Sequence, residues 1–565
     1  MIKNFKVFMK VLMILQALAF TSVAIAEKNS HSYLAQNWSE QDRQYFYFAD
    51  QGSRLLPYDY FLNLEQVSSK NLFRNDENMA RFGLIPAPKS PQNPDALPIG
   101  MTRNKDAMGF TCAACHTQKI MYKNRLTMID GGQTLFDLQM FLSEMTSSMK
   151  VTLMDADKFT RFQQRVLGSQ ASEHQINELK TTLNEEYEKR KTYSIENHTD
   201  VAYGYARLDA FGAILNRALS ATGVPNNTNP PNAPTSYPYL WDTPQHDYVE
   251  WNGSQSNSNV GAFARNVGEV IGVFGEVKPT QTKWLGLIDG GYKSSIQTAE
   301  LRRLEKVVGK LQSPQWPAHF PKVDIKLAQK GHTLYQKYCI SCHVDIKRDD
   351  PARMIKIRMS TLDQLGTDPM MAQNAILNMG KSGQLKGQAR FYVAGKPLQE
   401  IEPAIDIANN IMVGVIVNNP LQAYLAKKDA HDFGHADDVH SPKYVNGELL
   451  PADQAVSKKA LLGYKARPLN GVWTSAPFLH NGSVPNLYQL LLPAKSRMKQ
   501  FYVGSMAFDP KNIGFETTQS KDAFLFDTTL AGNSNLGHEY GAGYGAASAM
   551  TEDERWALIE YVKTL

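Results

Sequence analysis

Cys112-Ala113-Ala114-Cys115-His116 and Cys339-Ile340-Ser341-Cys342-His343 decide how this chain is read. Each is a C-x-x-C-H run, the attachment signature of a c-type haem. Three steps along a helical turn bring both thiols to one side, where they can form thioethers with the two vinyl groups of a haem. The adjacent imidazole then points at the iron. A thioredoxin-like redox pair needs neither the histidine nor a second copy. A structural zinc site needs the two distant pairs to meet in space. These are the only four cysteines in 565 residues, so the motifs consume every thiol and a disulfide scaffold is excluded. The cofactors expected are two covalently bound haem c groups, attached at Cys112, Cys115, Cys339 and Cys342, with His116 and His343 as iron ligands.

Upstream, residues 1–26 read as a secretory leader. Lys3, Lys6 and Lys10 precede a short apolar run from Val11 to Phe20, and Ala24-Ile25-Ala26 is an A-x-A cleavage site. The run is about half the length a membrane anchor needs and contains Gln16. Cleavage near Glu27 and a periplasmic or secreted product are expected, with no membrane span in the mature chain. The formal charge of +5 falls to +2 once the three leader lysines are removed, so nucleic acid is not an expected partner. With 42% hydrophobic residues, 10% aromatics and a mean hydropathy of −0.38, the bulk reads as soluble and globular rather than multi-span or disordered.

Around the motifs the pattern is mainly α. Leu135, Leu138, Leu142 and Met145 have helical spacing, and Ile176 to Arg190 is rich in helix formers. Lys326 to Tyr335 leads helically into the second motif, and Thr551 with three acids after it caps a last helix. Pro86 to Pro94 is too proline-rich to continue a helix, and Val224 to Pro238, with five prolines and four asparagines, is an irregular loop of the length that is often functional. Length alone is a prior for three or four domains. The motifs replace that with a leader at 1–26, a wrapping segment at 27–105, an N-terminal haem c domain with inserts at 106–320 and a C-terminal cytochrome c-like haem domain at 321–565. The fold class expected is two cytochrome c-like haem domains, mainly α, with long loop-rich inserts and few short strands. His431, His435 and His440, interleaved with Asp432, Asp437 and Asp438, are a possible metal cluster, with a solvated loop as the favoured alternative.

Several stretches resemble the di-haem bacterial cytochrome c peroxidase superfamily, and more closely its rubber-oxygenase-like branch, which includes periplasmic fatty-acid dioxygenases. They include Gln51 to Tyr60, Gly109 to Thr117, Ile129-Asp130-Gly131-Gly132, Leu240 to Pro244 and Leu365 to Pro369. The most telling is Ala466-Arg467-Pro468-Leu469-Asn470-Gly471-Val472-Trp473 continuing through Phe478-Leu479-His480-Asn481-Gly482. The resemblance implies a reactive N-terminal haem and a six-coordinate C-terminal haem that relays electrons. It also implies a second ligand to the latter near the chain end, where Gly532 to Gly541 places His538, with His480 as competitor. A second strong ligand makes an electron-transfer haem, whereas an open position permits oxygen or peroxide chemistry.

Ala262 to Val270 is similar to the superfamily's segment on the far side of the reactive haem. Glu269 is then a candidate acid/base, its structural alternative being an ion pair with Arg265. Phe263 is a candidate gate over the open iron face, or simply core. Trp241 and Trp251 are candidate electron carriers between the haems. Calcium, found in the peroxidases, has no acidic loop to assign it to here. The activity implied is oxidation by O2 of a small apolar substrate, an unsaturated fatty acid or polyisoprene. A cytochrome c peroxidase, fed by a small periplasmic electron-donor cytochrome, and a non-enzymatic electron carrier stand as alternatives.

Overall fold

The computed structural model describes residues 32–280, 290–350, 352–435, 462–542 and 549–565, with the short strand pairs 283–284/288–289 and 444–445/448–449. The leader at 1–26 lies outside the described residues. Downstream of the first motif, the helical spacing becomes four helices, Leu138–Met154, Ala156–Leu167, Glu173–Glu196 and Ala210–Ser220. Asp137, Asp155, Ser172 and Asp209 precede them, and each side chain accepts the backbone N–H three residues on. These caps satisfy donors that a helix start leaves without partners.

In the C-terminal part, helix Ile325–Tyr338 runs into the second motif and helix Glu552–Val562 closes the chain on a Thr551–Glu554 capping box. The two pack so closely that a Cβ at Gly331 would lie 2.0 Å from the Ala557 carbonyl oxygen. Only glycine fits that crossing.

Strands are short, none longer than six residues among those described. Two antiparallel hairpins flank the first motif: Met101–Asn104 with Ala107–Phe110 before it, and Thr117–Tyr122 with Arg125–Asp130 after it. The second turns through Lys123 (φ 48°) and Asn124 (φ 62°), the paired left-handed conformation of a two-residue hairpin. Sequence reading did not locate it, because the Lys-Asn pair lacks the glycine that usually signals such a turn.

One core runs beneath both motifs, joining Phe46 and Trp241 to Trp473 and Ile559. A second gathers Phe61, Phe73, Phe82 and Phe141, with ring centroids 5.4–6.5 Å apart. Burying each such ring is worth roughly 1.5–3 kcal/mol. Three of the four lie in the segment read as a wrapping, so that segment supplies core rather than only surface. The proline-rich loop ends in a two-residue strand, Thr235–Ser236, paired with Arg207–Leu208. That pairing carries Tyr237 and Pro238 to the centre of the molecule.

Candidate functional site

Both motifs adopt one local geometry from different starting elements. At the first, a strand gives way to a short turn, Cys112–Ala114, capped by Thr111. The N–H groups of Cys115 and His116 then donate to the Cys112 carbonyl at 3.2 and 3.0 Å. At the second, a helix ends on Cys339, whose carbonyl accepts from Cys342 and His343 at 3.1 and 2.8 Å. In each, the imidazole Nδ1 meets a backbone carbonyl: His116 donates to Pro238 (2.8 Å) and His343 to Arg467 (2.6 Å). A carbonyl only accepts, so Nδ1 carries the proton and Nε2 is left with its lone pair for a metal. Burial holds His116 neutral, its pKa lowered to about 4, and lowers His343 too. Burial also pushes the thiols of Cys112, Cys115 and Cys339 up to about 12. Reactive redox cysteines need the opposite shift, so these three thiols lack the activation a thioredoxin-like pair requires.

Cys112, Cys115 and His116 open on a cavity of about 1610 Å³. Phe110, Phe136, Leu138, Phe211 and Ile214 make its apolar walls, and Glu250, Arg265, Asn266 and Glu269 stand on its polar side. The helix Gly261–Gly272 presents the last three on one face. It seats tightly because Gly268 lies against Met412, where a Cβ would come within 2.7 Å of the sulfur. Arg265 pairs with Glu305 at 2.6 Å and donates to Asn257 at 2.8 Å, so the Arg265–Glu269 ion pair considered from sequence is not formed. Burial first, then the charge of Glu250, raises the Glu269 pKa to about 8. Its carboxyl therefore holds a proton at neutral pH. Among the described residues lining this cavity, His116 is the one imidazole and no methionine contributes.

Cys342 and His343 open on a second cavity of about 1220 Å³, which also receives His480 and His538. The rings of His343 and His538 face each other with centroids 6.2 Å apart. A metal–imidazole bond of about 2.0 Å, plus roughly 1.1 Å from each nitrogen to its ring centre, predicts about 6 Å for two imidazoles on one ion. The pair therefore fits an iron between them. The His538 backbone is held at φ 50°, with its N–H on the Leu365 carbonyl (2.8 Å), while Arg497 binds the carbonyls of Asn535 and Gly537 at 2.6 and 2.9 Å. Burial lowers the His538 pKa to about 3, so it too is a neutral donor. His480 stacks on Tyr464 at 4.0 Å and has Trp251 at its edge.

The two cavities share a wall formed by Ser236, Tyr237, Pro238, Trp251, Lys465 and Arg467. Trp251 thus stands between the motifs. Trp241 lines neither cavity: it is fully buried, stacked on Tyr239 at 4.4 Å and bonded to the Asn470 carbonyl. Phe263, expected over the iron face or in the core, is a buried core residue and lines a small neighbouring cavity with Pro244, Ala426 and Phe433 rather than the cavity of the first motif. Glu250, Lys465 and Arg467 were missed from sequence, because single charged residues in loop and strand carry no motif. His435 is buried and bonded to the Pro244 carbonyl (2.6 Å), so it is not a solvated loop residue. His440, Asp437 and Asp438 lie outside the described residues. Among those described, no cluster of three or more acids, histidines or cysteines could hold a metal ion, calcium included.

A RoxA-like, cytochrome c-like family model matches residues 463–502, the stretch that carries Lys465, Arg467 and His480. An uncharacterized protein of Sinorhizobium fredii (strain NBRC 101917 / NGR234), y4iJ, is 30% identical across 94% of this chain and 93% of its own length. The chain belongs to the y4iJ family. A second uncharacterized protein of that strain, y4iM, is 27% identical over 62% of this chain and 70% of its own. The cytochrome c-like match supports haem c as a cofactor and fits the rubber-oxygenase-like branch. Among the described residues no helix is long and apolar enough to cross a membrane.

Proposed function

We propose that this chain is an exported di-haem c oxidoreductase of the di-haem peroxidase superfamily, built as two mainly α haem domains at 106–320 and 321–565. It oxidises an apolar unsaturated substrate, a fatty acid or polyisoprene, with O2 at the N-terminal haem. The observation that carries this reading is the unequal supply of imidazoles: one in the first cavity, two facing each other in the second.

When bound, haem supplies the redox chemistry toward oxygen. The chain's own residues do the rest. His116, fixed by the Pro238 carbonyl, would present Nε2 to an iron at the first motif, and His343 and His538 would together hold the iron of the second. Phe110, Phe136, Phe211 and Ile214 exclude water and give an alkene chain an apolar surface to lie on. Glu269 holds a proton on its carboxyl oxygen beside that surface and delivers or retrieves it as charge develops on oxygen. Trp251, in the shared wall, lies where an electron passing between the haems would travel.

The protonated Glu269 serves a second reading equally: reduction of hydrogen peroxide with electrons from a small donor cytochrome entering at the C-terminal haem. Incubation with oleate or polyisoprene under labelled O2 separates the two. Label in a lipid product is the expected result. Turnover only with peroxide and reduced cytochrome would replace the first reading with the second.

A further inference from the structure

Lys465 and Arg467 are the two charged side chains that line the C-terminal cavity among the described residues, and both line the N-terminal cavity as well. No carboxylate makes an ion pair with either; Asp242, close in space to Arg467, is taken by Arg353 at 2.6 Å. The Arg467 guanidinium lies over the Tyr239 ring at 3.6 Å, and its Nε is buried without a hydrogen-bond partner. Glu250 acts on both cations from the N-terminal cavity and Asp247 acts on Lys465, but neither forms an ion pair with them, so two buried cations stand side by side in one wall without a contacting anion, a costly arrangement.

Each haem carries two propionate carboxylates, and the C-terminal cavity has no acidic and no other basic residue to meet them. We infer that Lys465 and Arg467 form a shared carboxylate clamp, binding a propionate of each haem and linking the two cofactors through one pair of cations. The inference rests on the two-haem reading above. The sharing follows from position: the strand Gly463–Ala466 pairs with Arg358–Thr361 and carries Lys465, Arg467 follows directly after its end, and both line the two cavities. Arg467 thereby has two duties, because its carbonyl also fixes His343.

The test is redox potentiometry of the full-length holoprotein. Wild type must first show two haems by haemochrome assay and mass; one haem or none removes the two-haem reading itself. In the holoprotein, Lys465→Gln should lower the midpoints of both haems, each by about tenfold in the reduction equilibrium, equivalent to about 59 mV for a one-electron couple. Loss of a nearby cation favours the more positive oxidised iron, which sets the sign. Lys465→Arg should leave both near wild type, and Arg467→Gln should repeat the paired fall. A shift at one haem only, or at neither, overturns the shared clamp. If Lys465→Gln fails to retain haem, content compared with Lys465→Arg decides: loss at both motifs that arginine rescues supports the clamp, and equal loss in both variants overturns it.

Discussion

The two motif cavities begin from near-identical turns and present different groups on their opposite walls. In both, a cysteine carbonyl ties the motif and a backbone carbonyl fixes the histidine tautomer. Opposite that shared half they diverge. The C-terminal cavity offers a second neutral imidazole at iron-spanning distance. The N-terminal cavity offers a buried carboxyl poised to hold a proton, beside an arginine already committed to Glu305. On the proposed reading, the motif sets where a haem is attached and the opposing wall sets what that haem does.

The largest effect that can break this contrast comes from removing one attachment point. Cys112→Ser with Cys115→Ser should delete the N-terminal haem and all turnover, leaving one low-spin haem. The matching Cys339/Cys342 pair of changes should leave a haem still open to ligands. Haem counting and optical titration with cyanide check both. Next, His538→Ala should convert the C-terminal haem from low to high spin in the EPR spectrum, while His480→Ala should not. The reverse outcome would exchange the two histidines' roles.

Glu269→Gln should lower kcat by roughly 10²–10³-fold with little change in KM, within the range for a lost acid/base group. Its carboxyl pKa is raised, to about 8. Proton-dependent activity should therefore persist through neutral pH and fall as pH rises past about 8, and the variant should lose that alkaline limb. Stability follows the same sign: the contribution of this group is present below the normal carboxyl range and lost as pH climbs to about 8. The smallest effect tests the C-terminal region alone. Gly331→Ala should cost about 1–3 kcal/mol by overpacking the helix crossing, read by chemical denaturation, without altering the N-terminal haem spectrum.

The attachment points were legible because cysteine and histidine at fixed spacing carry chemistry in the residue types themselves. The helices were legible from periodicity and helix-forming composition, and the last one also from the cap at Thr551. His538 was reached only through resemblance, since nothing local in Gly537-His538-Glu539 marks a ligand; its partner lies nearly two hundred residues away in the chain. Phe263 was misplaced for a related reason. Helix Gly261–Gly272 has apolar residues on more than one face, and which face meets the cavity depends on helices 210–220 and 404–417 packing against it. Arg467 stood in the stretch that carried the resemblance, but nothing in the sequence gave it or Lys465 a role. They become meaningful only when the fold places them in the wall between two cavities.

The ferric EPR spectrum of the purified protein, before and after an added ligand such as cyanide or imidazole, bears most directly on the contrast between the two cavities. One high-spin signal that converts on ligand addition, beside one low-spin signal that does not, is the predicted result. Two low-spin signals that both resist added ligand would contradict the account and leave an electron carrier in its place.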